Sequence, residues 1–434
     1  MDNNYFHSVT LDKEKCRGCT NCIKRCPTEA IRVRAGKANI TAERCIDCGE
    51  CIRVCPYHAK LAVTDPIDVI SKYKYTIALT APTLYGQFKR IGDALAVDDA
   101  LKALGFDDVF EVAKAADIAA HFIKQRIESA DIPRPIISSS CPVIVRLIQV
   151  RFPSLIEHMV DVWSPMEIAG YVAKRRAIET TGYDPDDIGA FFITPCPAKM
   201  TAIRHPIERR TSSVDGAIAI SDIFGHIVAK VGDISSSRGT IEASSFGLGW
   251  ANSGGESLSI GADNSLAVDG IQNVIRVLEE IEDDKMNDLD FFEGLSCPGG
   301  CVGGPLTVEN GFVARNRIRK WAKSLSGQLY MMDLPRAPYF EQPILPNPAM
   351  KLDDDINAAM EKMQRIEIIT DELPGLDCGS CGSPSCRALA EDIVQGKASI
   401  MDCVFKLRER VKELAKQVID LSNIMPTGKH DEED

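Results

Sequence analysis

No stretch of this 434-residue sequence stays apolar for the ~18 residues that a membrane span requires, and Met1 to His7 is polar. Neither an anchor nor an export leader is therefore expected. Positive charge is in deficit, with 50 Lys and Arg against 62 Asp and Glu and a net −12. That balance speaks against nucleic acid or an anionic membrane as the main partner, since both are held by clustered Lys and Arg. Small molecules or basic proteins fit better. Cysteine is scarce through the middle: between Lys60 and Phe291 only Cys141 and Cys196 occur. No PAS, kinase or phosphatase segment is visible, so a signalling output would lie on another chain.

Outside that middle the cysteines crowd together, and the total of 16 would suit a secreted disulfide scaffold if the chain were short and led by an export signal. It is neither, and the C-x2-C spacing points to metal binding in a reducing compartment, which places the protein in the cytoplasm. Cys16, Cys19, Cys22 and Cys26-Pro27 form C-x2-C-x2-C-x3-C-P, and Cys45, Cys48, Cys51 and Cys55-Pro56 repeat it. The repeat resembles the two-cluster bacterial ferredoxins, in which the fourth cysteine of each run serves the other cluster. Cys16, Cys19, Cys22 and Cys55 are then expected on one 4Fe-4S centre, and Cys45, Cys48, Cys51 and Cys26 on the second. Zinc is the plainer alternative for such runs, and the doubled spacing with proline after each fourth cysteine weighs against it. A third run, Cys378, Cys381, Cys386 and Cys403, has the spacing C-x2-C-x4-C-x16-C and suggests one more 4Fe-4S cluster, with zinc a stronger rival there.

From about Asp65 the pattern changes to alternating strands and amphipathic helices. Strands are expected at Tyr75 to Thr80, Asp108 to Val112, Pro135 to Ile137, Phe191 to Thr194 and Ala217 to Ile220. Helices are expected at Val97 to Leu104, Ala115 to Ser129, after Cys141, at Asp222 to Val231 and at Ile271 to Ile281. That alternation means α/β layers, with ligands at the C-terminal ends of the strands. Ala81-Pro82-Thr83, Ser140-Cys141-Pro142 and Pro195-Cys196-Pro197 fall there. Proline after Cys141 and Cys196 suits the first turn of a helix, so each thiol is expected at a strand-to-helix junction, where free N–H groups favour a thiolate. Glu293 to Gly304 carries Cys297-Pro298, Cys301 and a run of glycines, a composition that lets backbone approach an inorganic cluster closely. Two cysteines cannot hold a cubane, so the remaining ligands must come from elsewhere in the chain. A proline-rich stretch from Leu334 to Pro348 reads as a linker or surface strap. Helices are expected at Ser385 to Val394 and from Met401 towards Leu421, and Lys429 to Asp434 as a charged, disordered tail.

Three motifs, Ser139-Ser140-Cys141-Pro142, Thr194-Pro195-Cys196-Pro197-Ala198-Lys199 and Glu293 to Gly304, resemble the signatures of the iron-iron (FeFe) hydrogenases. The resemblance covers roughly Tyr75 to Leu325 and the ferredoxin module before it. It implies an H-cluster, a 4Fe-4S cubane joined through one cysteine to a diiron unit bearing CO, cyanide and a bridging dithiolate. On that basis Cys141, Cys196, Cys297 and Cys301 hold the cubane, with Cys301 as the bridge. Lys199 matches the family's donor to cyanide, Thr83 resembles the donor to the second cyanide, and Pro82 precedes it. Pro165 is placed in the pocket lining, and Trp250 with Ser253 resembles the family's aromatic and glycine-rich wall. The bland readings of these residues are a solvated lysine, a helix cap and a flexible Gly/Ser loop.

The resemblance further implies three domains: an α+β ferredoxin-like domain at 1–65, an H-cluster domain of two parallel-sheet α/β lobes at 66–345, and a small, mainly helical iron-sulfur domain at 346–434. The implied activity is reversible oxidation of H2 to protons, with ferredoxin or a redox or signalling protein as partner and hydrogenase maturation proteins installing the diiron unit. One departure is the residue before the first ligand, a proton-relaying cysteine in fast members and Ser140 here. A thiol titrates near ~8.5 and an alcohol is a far weaker acid, so Ser140 can relay only by donating and accepting together. Ala115 to Ser129 supplies only Asp117 and Glu128 where the usual relay carboxylates stand, and His121 is a candidate substitute. Thr194 and Leu295 replace methionines beside the diiron site. These changes and the C-terminal cluster domain resemble the family's sensory branch, which implies slow turnover. The competing expectation is a non-catalytic hydrogenase-like iron-sulfur protein carrying only a cubane.

Overall fold

A computed structural model describes residues 6–129, 132–233 and 240–423. The chain forms two compact units, one of residues 1–15 and 41–350, the other of residues 16–40 and 351–434. The charged tail expected at 429–434 lies outside the described residues. Among the described residues, no helix is long and apolar enough to cross a membrane.

The first unit is built on two parallel sheets. One has the strand order Asp108–Glu111, Tyr75–Thr80, Ile188–Thr194, Gly216–Ala219, and the other Ser265–Asp269, Phe291–Leu295, Ile136–Ile137. Parallel strands require crossovers that cover both faces with helices, so their central strands are buried throughout. Ile188–Thr194 and Phe291–Leu295 are accordingly buried at every position. Helices Val112–Ser129, Pro142–Arg151, Pro165–Thr181, Pro197–Arg204, Ile220–Asp233 and Ile271–Glu282 supply the layers. The expected α/β alternation and its strands and helices are observed. Helix Pro165–Thr181 and the strands Ser265–Asp269 and Phe291–Leu295 add to them. Residues 334–348 run as a strap over this unit, tied by Trp163 N–H to Pro338 O at 2.7 Å and Phe340 N–H to Asp161 O at 2.9 Å.

The second unit contains a hairpin, Ile31–Arg34 with Lys37–Ile40, and helices Ile356–Glu372, Cys386–Val394 and Val404–Asn423. Residues 16–40, expected within a single 1–65 domain, belong to this unit, and specific bonds explain why. Val33 N–H donates to Gly382 O at 2.8 Å. Asp392, 6% exposed, accepts from Arg32 Nε at 2.7 Å, from an Arg34 guanidinium nitrogen at 2.8 Å and from Ser383 Oγ at 3.0 Å.

Candidate metal centre

Four strands of the first unit end around one cavity. Its wall includes Ala81-Pro82-Thr83 after Tyr75–Thr80, Pro195-Cys196 after Ile188–Thr194, Ser140-Cys141 after Ile136–Ile137, and Ser296-Cys297 after Phe291–Leu295. Each sheet thus contributes two strand ends, which is where a ligand sits in open α/β sheets. Helices Pro82–Gly86, Pro142–Arg151, Pro165–Thr181 and Pro197–Arg204 each begin with proline in the first turn. Proline's fixed φ and missing N–H suit that position. Cys141 and Cys196 are the N-cap residues of their helices, so both stand at strand-to-helix junctions. After Cys297 the chain turns instead through Gly299 and Gly300, at φ +81° and +103°, into the single turn Cys301–Gly303. A Cβ on Gly300 would stand 2.6 Å from both Ala251 O and Ser253 N, so only glycine fits.

Cys141, Cys196, Cys297 and Cys301 all line this cavity. Burial first, then the charges of Cys297, Cys141 and Cys301, push the Cys196 thiol well above its ordinary value. Burial, opposed by Arg53, pushes Cys297 up to about 11, and burial with the charges of Cys141 and Cys297 pushes Cys301 up to about 12. The accessible surface of Cys301 faces the cavity that it lines. Converging thiols that resist ionising beside one another are a donor set matched to iron, whose positive charge reverses that preference. Thr83 Oγ1 and Ser296 Oγ are buried at the cavity wall with no hydrogen-bond partner among the described residues. Such orphaned groups fit a polar inorganic occupant.

Lys199, Pro82, Thr83, Pro165 and Trp250 line the same cavity, as do Leu295 and Ser140. Ser253 does not; its N–H donates to Gly299 O at 3.1 Å and it lines a separate cleft of about 440 Å³. Thr194 also lies off the wall, its Oγ donating to Cys196 O at 2.9 Å. Lys199 Nζ donates to Ser140 O at 3.2 Å. Its charge is felt by Glu167, Glu208 and Glu256. Glu208 is pushed up to about 7 by burial and the charge of Glu167, and its carboxylate accepts from Ser164 N–H at 2.6 Å.

The carboxylate beside Ser140 comes from helix Gly255–Ile260, which sequence reasoning left unassigned. Ser140 Oγ donates to Glu256 Oε1 at 3.1 Å, and Ser138 Oγ to Glu256 Oε2 at 2.7 Å. Glu256 is 1% exposed. Burial, followed by the charge of Glu293, pushes Glu256 up to about 8. Glu293, raised by burial as well, accepts from Gly254 N–H at 2.9 Å and from Ser257 N–H and Oγ at 2.8 Å. Gly254 lines the 440 Å³ cleft, together with Arg315, Arg319 and Lys323. Asp117, by contrast, is occupied structurally: its carboxylate accepts from Ser244 N–H at 3.0 Å and Tyr330 N–H at 3.1 Å. His121 bonds Gln125 at 3.0 Å on its own helix and is absent from the cavity wall.

The second ferredoxin-like run packs beside this site. Ile46 and Cys48 share one apolar cluster with Val143, Ile144 and Ala198, against which Cys141 and Cys196 also pack. Gly49 adopts φ +74°, and a Cβ there would lie 2.5 Å from Pro305. Arg53 bonds Gly303 O. In the second unit Cys378, Cys381, Cys386 and Cys403 line a small cavity of their own. Cys386 N–H donates to Asp377 Oδ1 at 2.6 Å, fixing the start of its helix.

Residues 74–261 and 252–305, together more than half of the chain, match the family described as iron only hydrogenase large subunit, C-terminal domain. Residues 8–56 match a 4Fe-4S dicluster domain, and residues 373–405 match an Fe-S cluster segment. The chain belongs to the iron-only hydrogenase large-subunit family. It is 32% identical over 220 residues to the periplasmic [Fe] hydrogenase large subunit of Nitratidesulfovibrio vulgaris, covering 46% of this chain and 52% of that protein. It is 26% identical over 369 residues to iron hydrogenase 1 of Clostridium pasteurianum, covering 68% of this chain and 64% of that one. The chain thus spans about half to two thirds of these relatives. A solved variant of the [FeFe]-hydrogenase HydA1 from Chlamydomonas reinhardtii aligns at a TM-score of 0.44 and 17% identity, covering 61% of this chain and 89% of that one.

Proposed function

We propose that this protein catalyses slow, reversible oxidation of H2 to protons and electrons and serves as a hydrogen sensor. The observation that carries the reading is the convergence of Cys141, Cys196, Cys297 and Cys301 on a cavity that also presents Lys199 and the Ser140 hydroxyl bonded to Glu256. When bound, a cubane with its CO- and cyanide-bearing diiron unit supplies the redox-active iron that binds and splits dihydrogen. The four thiols would hold it, Cys301 bridging the two parts. Lys199 Nζ offers charge-assisted donors to an anionic ligand, and Thr83 Oγ1 is a second donor without a competing partner among the described residues.

Protons leave through the chain's own groups. Ser140 Oγ passes a proton to Glu256 while accepting another, so the alcohol never carries a full charge. Glu256 and Glu293 share their electrostatic environment, and Glu293 binds the Gly254 backbone that edges the 440 Å³ cleft, an outlet to water. Electrons leave through the Cys45 to Cys55 run, whose Cys48 packs in the same apolar cluster as Cys141 and Cys196. Ferredoxin or a redox or signalling protein is the acceptor, and maturation proteins install the diiron unit. Ser140 in place of a thiol supports low turnover, as does helix Val112–Ser129, whose Asp117 is held by the Ser244 and Tyr330 N–H groups and whose Glu128 lies off the cavity wall.

The decisive measurement is infrared spectroscopy of the matured protein with an H/D exchange assay. CO and cyanide bands with slow exchange are expected. A spectrum without those bands after maturation would leave a cubane-only electron-transfer or scaffold protein.

A further inference from the structure

Helix Val404–Asn423 is exposed on every face from Leu407 to Leu421. Its substantial packing is on the turn Ile400–Asp402 at its base. A helix of that length standing in water gains little from its backbone bonds alone, and most helices in proteins are held by an apolar face on something else. A continuous apolar seam here is Val404, Leu407, Val411, Leu414, Val418 and Leu421, exposed by 44, 47, 56, 44, 65 and 67%, with the exposed Phe405 and Ile419 at two b positions outside it. The spacing alternates three and four residues without a break. Helices that face a globular core carry a broader stripe, whereas a strict three-four alternation over nearly three heptads is the seam of a supercoil.

We propose that this helix pairs with the same helix of a second copy in a parallel, in-register, two-stranded coiled coil. The composition of the seam selects that occupant. In heptad register every a position is valine, Val404, Val411 and Val418, and every d position is leucine, Leu407, Leu414 and Leu421. β-Branched residues at a with leucine at d is the combination that favours two parallel strands over trimers or tetramers. The flanks agree. Arg410 of one copy would meet Ala415 of the other, so no like charges face each other there, and Gln417 further along is neutral. Coils that demand a foreign partner carry like charges on these flanks to reject self-pairing, and this one does not. The charged side chains, Lys412, Glu413, Lys416 and Asp420, lie on the outer face. Cys403 immediately precedes the helix and lines the C-terminal thiol cavity with Val404, so dimerisation would set two such sites at the base of one axis.

This proposal is independent of the hydrogenase reading. The test is sedimentation of the full-length, iron-loaded protein under anaerobic conditions across a wide concentration range. A dimer is expected. Leu414→Lys and Leu414→Glu should each raise the dissociation constant about a hundredfold or more, because each buries a charge in the seam. Mixing the two variants in equal amounts should restore the dimer, since in parallel register position 414 faces itself. Lys412→Glu, on the outer face, should leave the dimer intact, and unchanged iron content and cluster absorbance verify the fold of every variant. A monomeric wild type, or a dimer indifferent to Leu414→Lys, would overturn the pairing. Failure of the mixture to recover would overturn the parallel register.

Discussion

The two units hold their thiols by opposite means. In the first, Cys141, Cys196 and the Cys297/Cys301 pair come from three well-separated stretches of the sequence and are brought together by strand ends of two parallel sheets, each with a large apolar core around it. In the second, Cys378 to Cys403 lie on a short piece of chain whose buried apolar core is Ile366, Leu373, Leu389, Ala390 and Cys403 itself, with half-buried residues such as Leu352, Ile369 and Ile393 packed against it. A site placed by sheets exists before any metal arrives, because its geometry is set by burial elsewhere. A site in so small a core depends on the metal to complete it, since such segments bury too little apolar surface to fold unaided.

Iron removal should therefore separate the units, with the largest effect of all. After anaerobic chelation, backbone amides of residues 377–403 should lose their hydrogen-exchange protection, while those of Ile188–Thr194 and Phe291–Leu295 keep it. Equal loss in both would show that the first site is also metal-built. Next comes the polar anchor of the second unit. Asp392→Ala leaves Arg32 and Arg34 without their carboxylate and should cost that unit about 3 kcal/mol, as removal of one partner of a buried ion pair does. Urea unfolding followed through the C-terminal cluster's absorbance should register the loss, and H2 turnover should not change.

In the first unit, the thiols are only half of the comparison. Glu256→Gln should lower turnover about a hundredfold, within the range for losing a positioned acid-base group, at unchanged iron content. The pH profile gives the sign. With its carboxyl raised to about 8, Glu256 is neutral below that pH and ionised above it. H2 oxidation, which asks it to accept a proton, should rise as pH climbs toward 8, and proton reduction should fall beyond it. The glutamine variant should lose both inflections, and their persistence would remove Glu256 from the path.

The same contrast explains what could be read from the sequence. Each cysteine of the first cavity is marked by its residue type and its immediate neighbours, so Cys141-Pro142, Cys196-Pro197 and Cys297 to Cys301 could be singled out one by one, and the structure gathers them on one wall. Lys199, which lines the same cavity, could be singled out because it travels in the same short motif as Cys196. Glu256 carries no such mark. It sits in a Gly-Gly-Glu-Ser stretch, and its meaning depends on where the Gly255–Ile260 helix lands against Ser138 and Ser140, a contact across more than a hundred residues. The available signal was an isolated acid amid glycine, serine and apolar residues, echoed by Glu293 inside the third motif. Residues 16–40 were hard to place for a like reason: Arg32 and Arg34 find Asp392 far along the chain, and no local pattern announces it.

The smallest expected effect is at Ser140, and it separates two explanations of the slow turnover proposed above. Ser140 Oγ already bonds Glu256 at 3.1 Å, so the proposed relay has its contact in place and only its chemistry is unfavourable. A thiol titrates near ~8.5, close to the value to which Glu256 is raised, and proton transfer is most efficient between matched groups. Ser140→Cys should then raise turnover severalfold in a dye-linked H2 oxidation assay. Ser140→Ala, which removes the relaying atom, should lower it by about tenfold. If the cysteine variant gains nothing while alanine still loses, the hydroxyl relay is sufficient and the slow step lies with electron exit. If alanine also loses nothing, protons do not pass through Ser140, and Glu256 must receive them by another way into the cavity.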